Sequence, residues 1–207
     1  MLLDVFLGIF TIKNLENAKA ITAYFKHLNE NNNGQKINVV FIGGSFISME
    51  SVCFFIEKQA NATIVSRSKP FEKTFGTEVS SKIAELYESK GVKFLINKDL
   101  EVKEFKENNG ALSSVELVTG ESLPCDICIL AMGGNPCTDF LNDTTLKLTS
   151  CNKIIVDKNM KTNINDVYAT GDIASFPLSC IPGLDFMNKS DLPNISHWGL
   201  ACQQGNF

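Results

Sequence analysis

The stretch "VVFIGGSFISMES" (Val39–Ser51) runs a short apolar segment into glycines and follows it with an apolar helical segment. That order of residue types is how a chain holds a phosphate: the strand delivers a tight turn, and the helix N-terminus offers unpaired N–H groups to an anion. Against the dinucleotide spacing G-x-G-x-x-G, Gly43 fills the first place, Ser45 the second and Ser48 the third. The first glycine makes the sharp turn, the second lets the backbone approach a pyrophosphate, and the third allows helix and strand to pack closely. Serine is the smallest polar replacement and can itself donate to phosphate. Further on, Ser66-Arg67 stands where an acidic residue would clamp a ribose 2′-hydroxyl. Losing that carboxylate and gaining Arg67 favours a 2′-phosphate, hence NADP(H) over NAD(H). On these residues alone, an α/β turn that binds nothing fits as well as a nucleotide site.

Other chemistry-bearing residues are sparse. Cys125 and Cys128 form "CDIC", but they fall on an expected strand, where residues three apart point to opposite faces. That spacing suits neither a disulfide nor a pair of zinc ligands, and there is no second pair, so no metal site is expected. His27 reads as a surface residue at the end of a helix, and His197 fits a helix-capping or packing role as well as a functional one. No Ser/Tyr/Lys or His/Asp constellation suggests a flavin-free dehydrogenase.

The elements that would position these residues follow from periodicity. Leu15, Ala18, Ile21, Phe25 and Leu28 recur at three- and four-residue steps, predicting an amphipathic helix with Asn14 as N-cap. "NENNNGQK" is a connector. Ile37–Ile42 is a doubly buried strand, followed by a helix over Phe46–Gln59 and a strand over Ala62–Ser66. A second helix is expected over Thr77–Ser89, ending at Gly91, then the strand "VKFLI". Alternating residues with turns at Asn109-Gly110 and Thr119-Gly120-Glu121 predict an antiparallel meander, closing on an apolar strand over Ile127–Met132. β-α-β-α-β, meander and returning strand together predict an α/β, Rossmann-like three-layer nucleotide domain.

The chain has 207 residues, 44% hydrophobic and 20% charged, enough for a real core. A net charge of −4 and no dense basic cluster argue against nucleic acid or an anionic membrane as partner. The apolar start "MLLDVFLGIF" is far shorter than a transmembrane segment and lacks the basic flank of a signal peptide. Seven irregularly spaced cysteines suit a reducing compartment, so the four N-x-[ST] sequons at Asn61, Asn142, Asn188 and Asn194 read as chance.

"TNINDVYATGDIASFPL" (Thr162–Leu178) resembles the second flavin-binding motif of the pyridine nucleotide-disulfide oxidoreductase superfamily, T-x-x-x-x-[hydrophobic]-[YF]-A-x-G-D, matching at Thr162, Val167, Tyr168, Ala169, Gly171 and Asp172. "ILAMGGNP" (Ile129–Pro136) is similar to its returning strand and glycine turn. "GGSFISME" is similar to its nucleotide turn, keeping Phe46, Ile47 and Glu50. "GIFTIKNLENA", "PFEKTFGTEVSSKI" and "ISHWGLACQQG" resemble the apoptosis-inducing-factor-3-like branch of Rieske-linked, ferredoxin-reductase-type flavoproteins.

The resemblance implies FAD and NAD(P)H as cofactors, with hydride passing from nicotinamide C4 to flavin N5 and electrons going on to an iron–sulfur or other acceptor. It implies that Gly43, Gly44 and Ser45 carry the dinucleotide pyrophosphate, and that Phe46 lids the nicotinamide with Ile47 beside it. Glu50 would be the catalytic carboxylate, near nicotinamide and flavin. Ser66 and Arg67 would meet the ribose, and Gly133 and Gly134 would form a cofactor turn. Asp172 would bond the ribityl or pyrophosphate part of FAD, with Gly171 allowing close approach. His197 and Trp198 would open a helix whose N-terminus faces the flavin pyrimidine edge. The expected divisions are a linker helix over 1–36, an NAD(P)H domain over 37–136 and a partial flavin domain over 137–207. Relatives also carry a glycine fingerprint upstream of Gly8, for which this chain has no room. It is therefore expected to be a fragment or short form, and a catalytically incompetent nucleotide-binding protein is the alternative. Relatives occur in cytosol and at mitochondria; the oligomeric state is open.

Overall fold

The computed structural model describes residues 7–44, 46–97, 99–177 and 196–206. The chain divides into two compact units, Met1–Gly133 and Gly134–Phe207.

The first unit is built on a parallel five-stranded sheet. Its strands are β1 (Ile9–Phe10), β2 (Asn38–Ile42), β3 (Asn61–Ser66), β4 (Val92–Ile96) and β8 (Ile127–Leu130), in the spatial order β1-β8-β2-β3-β4. Between them run α1 (Leu15–Asn31), α2 (Phe46–Glu57) and α3 (Glu72–Glu88). The strand period of two sorts β2 cleanly. Val39 and Phe41 enter a core with Ile21 and Phe25 of α1 and Met49, Val52 and Phe55 of α2. Val40 and Ile42 enter a second core on the other face. There they meet Leu112, Val115 and Leu117 of β6 (Ala111–Leu117) and Leu123 of β7 (Ser122–Pro124). With β5 (Val102–Asn108), β6 and β7 form an antiparallel three-stranded meander. Helices, parallel sheet and meander are thus three layers.

Residues 9–31 belong to this unit. β1 pairs with β8 in parallel, and Ile21 and Phe25 of α1 lie in the helix-side core. The Asn14 side chain accepts from Asn17 N and caps α1 as expected. α3 begins earlier than its periodicity predicts. Gly76, at φ 77°, breaks a first turn from Glu72 off the regular helix.

Cys125 and Cys128 differ from expectation. Cys125 precedes β8 in a bend at Asp126, so the two thiols share one apolar core instead of facing opposite ways. The Cys125 thiol beside it, together with burial, holds the Cys128 thiol well above its ordinary range, which leaves it inert.

On the meander, Glu116 accepts from Lys103 Nζ at 2.5 Å and Lys106 Nζ at 2.7 Å. Those bonds hold its carboxyl at about 2 instead of 4.5. Because the folded value is depressed, this contribution to stability is present above the ordinary carboxylate range and fades as pH falls toward 2. Glu116→Gln is therefore expected to melt below wild type at neutral pH, with the gap closing in acid. A gap that stays constant with pH would contradict this.

The second unit packs Leu141, Ile154, Val156, Met160, Ala169, Ala174 and Phe176 into a small core. β9 (Ile154–Ile155) and β10 (Ala174–Ser175) pair in parallel, and α4 (Trp198–Gln204) closes the described chain. Among the described residues no helix is long and apolar enough to cross a membrane.

Candidate functional site

The strand order reverses beside β2, which has β3 on one side and β8 on the other. In such sheets the crevice at the carboxyl ends of the strands, where the order switches, is where ligands bind. Gly43 lies there. Its φ is +105°, and a Cβ on it would stand 2.3 Å from the Ala131 carbonyl oxygen just past β8. Its N–H donates to the Val65 carbonyl of β3 at 2.8 Å, so one residue ties the three strand ends together. Gly44 follows without room for a side chain, since a Cβ would come 2.7 Å from Ser66 Oγ. Gly43, Gly44 and Ser66 are thus brought together.

Ser48, at the third glycine place, is fully buried and donates from Oγ to the Gly43 carbonyl at 2.5 Å. A hydroxyl that could have donated to phosphate is thus turned inward, locking the turn to its helix. Ser45 lies outside the described residues. Ser48→Ala would leave that carbonyl unpartnered and is expected to cost about 1–2 kcal/mol. A melting temperature equal to wild type would show that the bond stabilises nothing.

Phe46 opens α2, with its ring centroid 4.6 Å from that of Phe71. Phe71 caps α3 in the left-handed region, at φ 61°, an uncommon place for a bulky side chain. Ser80 Oγ holds the preceding Pro70 carbonyl at 2.7 Å, and Phe75 packs edge-on against the Phe71 ring. Sequence reasoning missed Phe71; the Phe71–Phe75 spacing was its one signal. Ile47 is exposed, and Glu50 is exposed at the fifth position of α2, a full turn from the glycines. Ser66 Oγ donates to the Ser68 carbonyl at 2.7 Å, while Arg67 is exposed and pairs with no described carboxylate. Gly133 is exposed at φ +91°, and the chain passes to the second unit at Gly134. Two open hollows of about 270 Å³ lie at the opposite end of the strands, both around Asn32, Lys36 and Ile37 at the start of β2. Neither reaches the glycine turn.

In the second unit the motif residues have separate tasks. Thr162 Oγ1 donates to the Val167 carbonyl at 2.9 Å and accepts from Ile164 N at 3.1 Å, closing the loop before the motif's apolar pair. Ala169 is buried in the core. Gly171 takes φ +73°, which a side chain would resist. Its N–H donates to Gln204 Oε1 at 2.7 Å and so is not available to a phosphate. Asp172 is exposed at this turn. His197 is the N-cap of α4, with Nδ1 accepting from Gly199 N at 3.1 Å. Its ring lies 6.0 Å from that of Trp198, which is 74% exposed.

Gln204, unnoticed in the sequence, is only 4% exposed, and its Nε2 finds no acceptor among the described residues. A polar residue one turn beyond the packed Leu200 was the available signal. A buried donor beside the Gly171–Asp172 turn fits a ligand rich in oxygen acceptors, as a flavin dinucleotide is. No cluster of three or more His, Cys, Asp or Glu that could hold a metal occurs among the described residues.

Residues 7–205 match the family described as pyridine nucleotide-disulphide oxidoreductase. Apoptosis-inducing factor 3 of Mus musculus is 31% identical over 199 residues, 96% of this chain and 30% of its own length. The chain thus spans about a third of the length of such curated relatives. Among solved structures, a ferredoxin reductase from Rhodopseudomonas palustris superposes with a TM-score of 0.76 at 20% identity, over 94% of this chain and 44% of that one. An engineered water-forming NADPH oxidase, a five-substitution form of an NADH oxidase from Lactobacillus brevis, gives 0.75 at 22% identity, over 95% and 39%. These structural likenesses are of fold.

Proposed function

Since the chain belongs to the pyridine nucleotide-disulphide oxidoreductase family, we propose that it serves an FAD-dependent NAD(P)H oxidoreductase. In this reading the first unit holds the nicotinamide dinucleotide. Its pyrophosphate lies over Gly43, Gly44 and Ser45 at the N-terminus of α2, with Phe46, Ile47 and Glu50 toward the nicotinamide and Gly133 and Gly134 as the second turn. Gly171, Asp172, His197 and Trp198 hold the flavin. The flavin, when bound, supplies the hydride acceptor, so the protein's residues need only bind, orient and screen. The observation that carries the reading is the Gly43 turn, built without room for a side chain at the point where the strand order reverses.

Arg67 selects the 2′-phosphate of NADPH in this reading. The engineered NADPH oxidase carries Gly→Ala, Asp→Ala, Ala→Arg, Met→Ser and Pro→Arg at successive separations of 18, 1, 1 and 5 residues. Ser48, Ser66, Arg67, Ser68 and Lys73 fall at the same separations here and supply small, small, arginine, serine and basic side chains. The ferredoxin-reductase likeness supports an iron–sulfur protein as electron acceptor. The cysteine usage supports an intracellular setting, cytoplasmic or mitochondrion-associated.

Purified protein incubated with FAD and freed of unbound flavin by gel filtration is expected to remain yellow and to bleach anaerobically on adding NADPH. Protein that emerges colourless yet binds NADPH would overturn the flavoenzyme reading and leave a nucleotide-binding protein without turnover.

A further inference from the structure

We propose that Gln204 is a flavin-contacting residue: Oε1 fixes the Gly171–Asp172 turn while Nε2 donates to an oxygen of the bound flavin. The inference rests on the flavin reading of the second unit. Three observations meet at this side chain. It accepts the Gly171 N–H at 2.7 Å, and so orients the peptide of the motif turn. The helix α4 that carries it packs on that turn, with the Ala201 side-chain Cβ 3.4 Å from where a Cβ on Gly171 would lie. Its amide nitrogen is buried and has no acceptor among the described residues.

Native proteins rarely bury an amide donor unpartnered, because its desolvation is uncompensated. The bond to Gly171 N already decides the amide's orientation: only oxygen can accept it, so the two Nε2 protons must point away from that N–H. A glutamine one helical turn after Leu200 would be poorer than leucine at packing. An acceptor brought by a ligand accounts for its place. Isoalloxazine carbonyls, ribityl hydroxyls and phosphates are all oxygen acceptors, and comparing riboflavin, FMN and FAD tells which is engaged.

The test is flavin binding by fluorescence for the full chain and for Gln204→Glu and Gln204→Leu. Glutamate keeps the acceptor for Gly171 N but sets a carboxylate against the ligand oxygen. In mildly alkaline buffer it should weaken FAD at least about tenfold. Burial raises a carboxyl pKa, and the protonated acid can donate, so affinity should return as the buffer is made acidic. A purely structural role would not produce that recovery. Leucine should weaken FAD at every pH. If either variant unfolds, the wild-type side-chain amide in contact with the Gly171 amide proton, followed by NMR, should shift and exchange more slowly on adding FAD. Wild-type protein that binds no flavin would overturn the flavin reading and this inference with it. Flavin binding with Gln204→Glu unaffected at all pH values, or with an unchanged amide resonance, would overturn the inference alone.

Discussion

Gly43→Ala is expected to destabilise the first unit by about 3 kcal/mol or more and to abolish dinucleotide binding. Two costs add. A side chain at φ +105° is strained, of order 1–3 kcal/mol. The new Cβ would also stand 2.3 Å from the Ala131 carbonyl oxygen, a backbone atom that cannot rotate aside. Relieving that clash moves β2 and β8 apart at the end where the pyrophosphate would lie. Gly34→Ala is the matched control, since Gly34 has φ +79° and open space around its Cβ position; it carries the strain without the clash. Thermal melting should lower the Gly43 variant by about 10 °C and the Gly34 variant by far less. An NADPH titration should lose its signal in the first and keep it in the second. Equal melting temperatures would show that the strand ends are looser than their geometry.

Arg67→Ala is expected to weaken NADPH by about 10–100-fold while leaving NADH within about twofold. A guanidinium bond to a phosphate is worth about 1.5–3 kcal/mol, and NADH has no 2′-phosphate to lose. Arg67 is exposed and makes no ion pair with a described carboxylate, so its removal should leave the melting temperature unchanged. The preference should also fade with added salt in wild type and not in the variant. Equal losses for both coenzymes would make Arg67 a general anion contact and remove the 2′-phosphate from the proposal.

Much of the fold is legible because β2 and α2 state their burial plainly. A run such as Val39–Ile42 has no polar face, so it can only be a central strand, and the glycines after it can only turn. The Asn109-Gly110 turn is equally local. What the sequence hides is non-local or conformational. Cys125 and Cys128 have opposite parity, and only the bend at Asp126 puts both thiols in one core. Ser48 looks like a phosphate donor until its hydroxyl is found on the Gly43 carbonyl. Phe71 gives no sign of its left-handed backbone, because propensity puts Gly or Asn there. In the second unit the motif names Gly171 and Asp172, but Gln204 lies 33 residues from the N–H it accepts, beyond any periodicity.

The central strand β2 borders β8, and Asn38 N donates to Asp126 Oδ2 across 88 residues of sequence. A ribosome making this chain exposes α1, β2, α2, β3, α3 and β4 well before β8 exists. Until then β2 presents an open apolar edge at the middle of its own sheet, and β1 has no neighbour. Such an edge is a template for pairing with other chains, and the long loop that closes it makes folding slow. The meander, whose contacts are sequential, is complete just before β8 emerges. The nascent chain should therefore need holding by a chaperone until roughly Ala131 clears the exit tunnel, then acquire its sheet and its glycine turn in a single step.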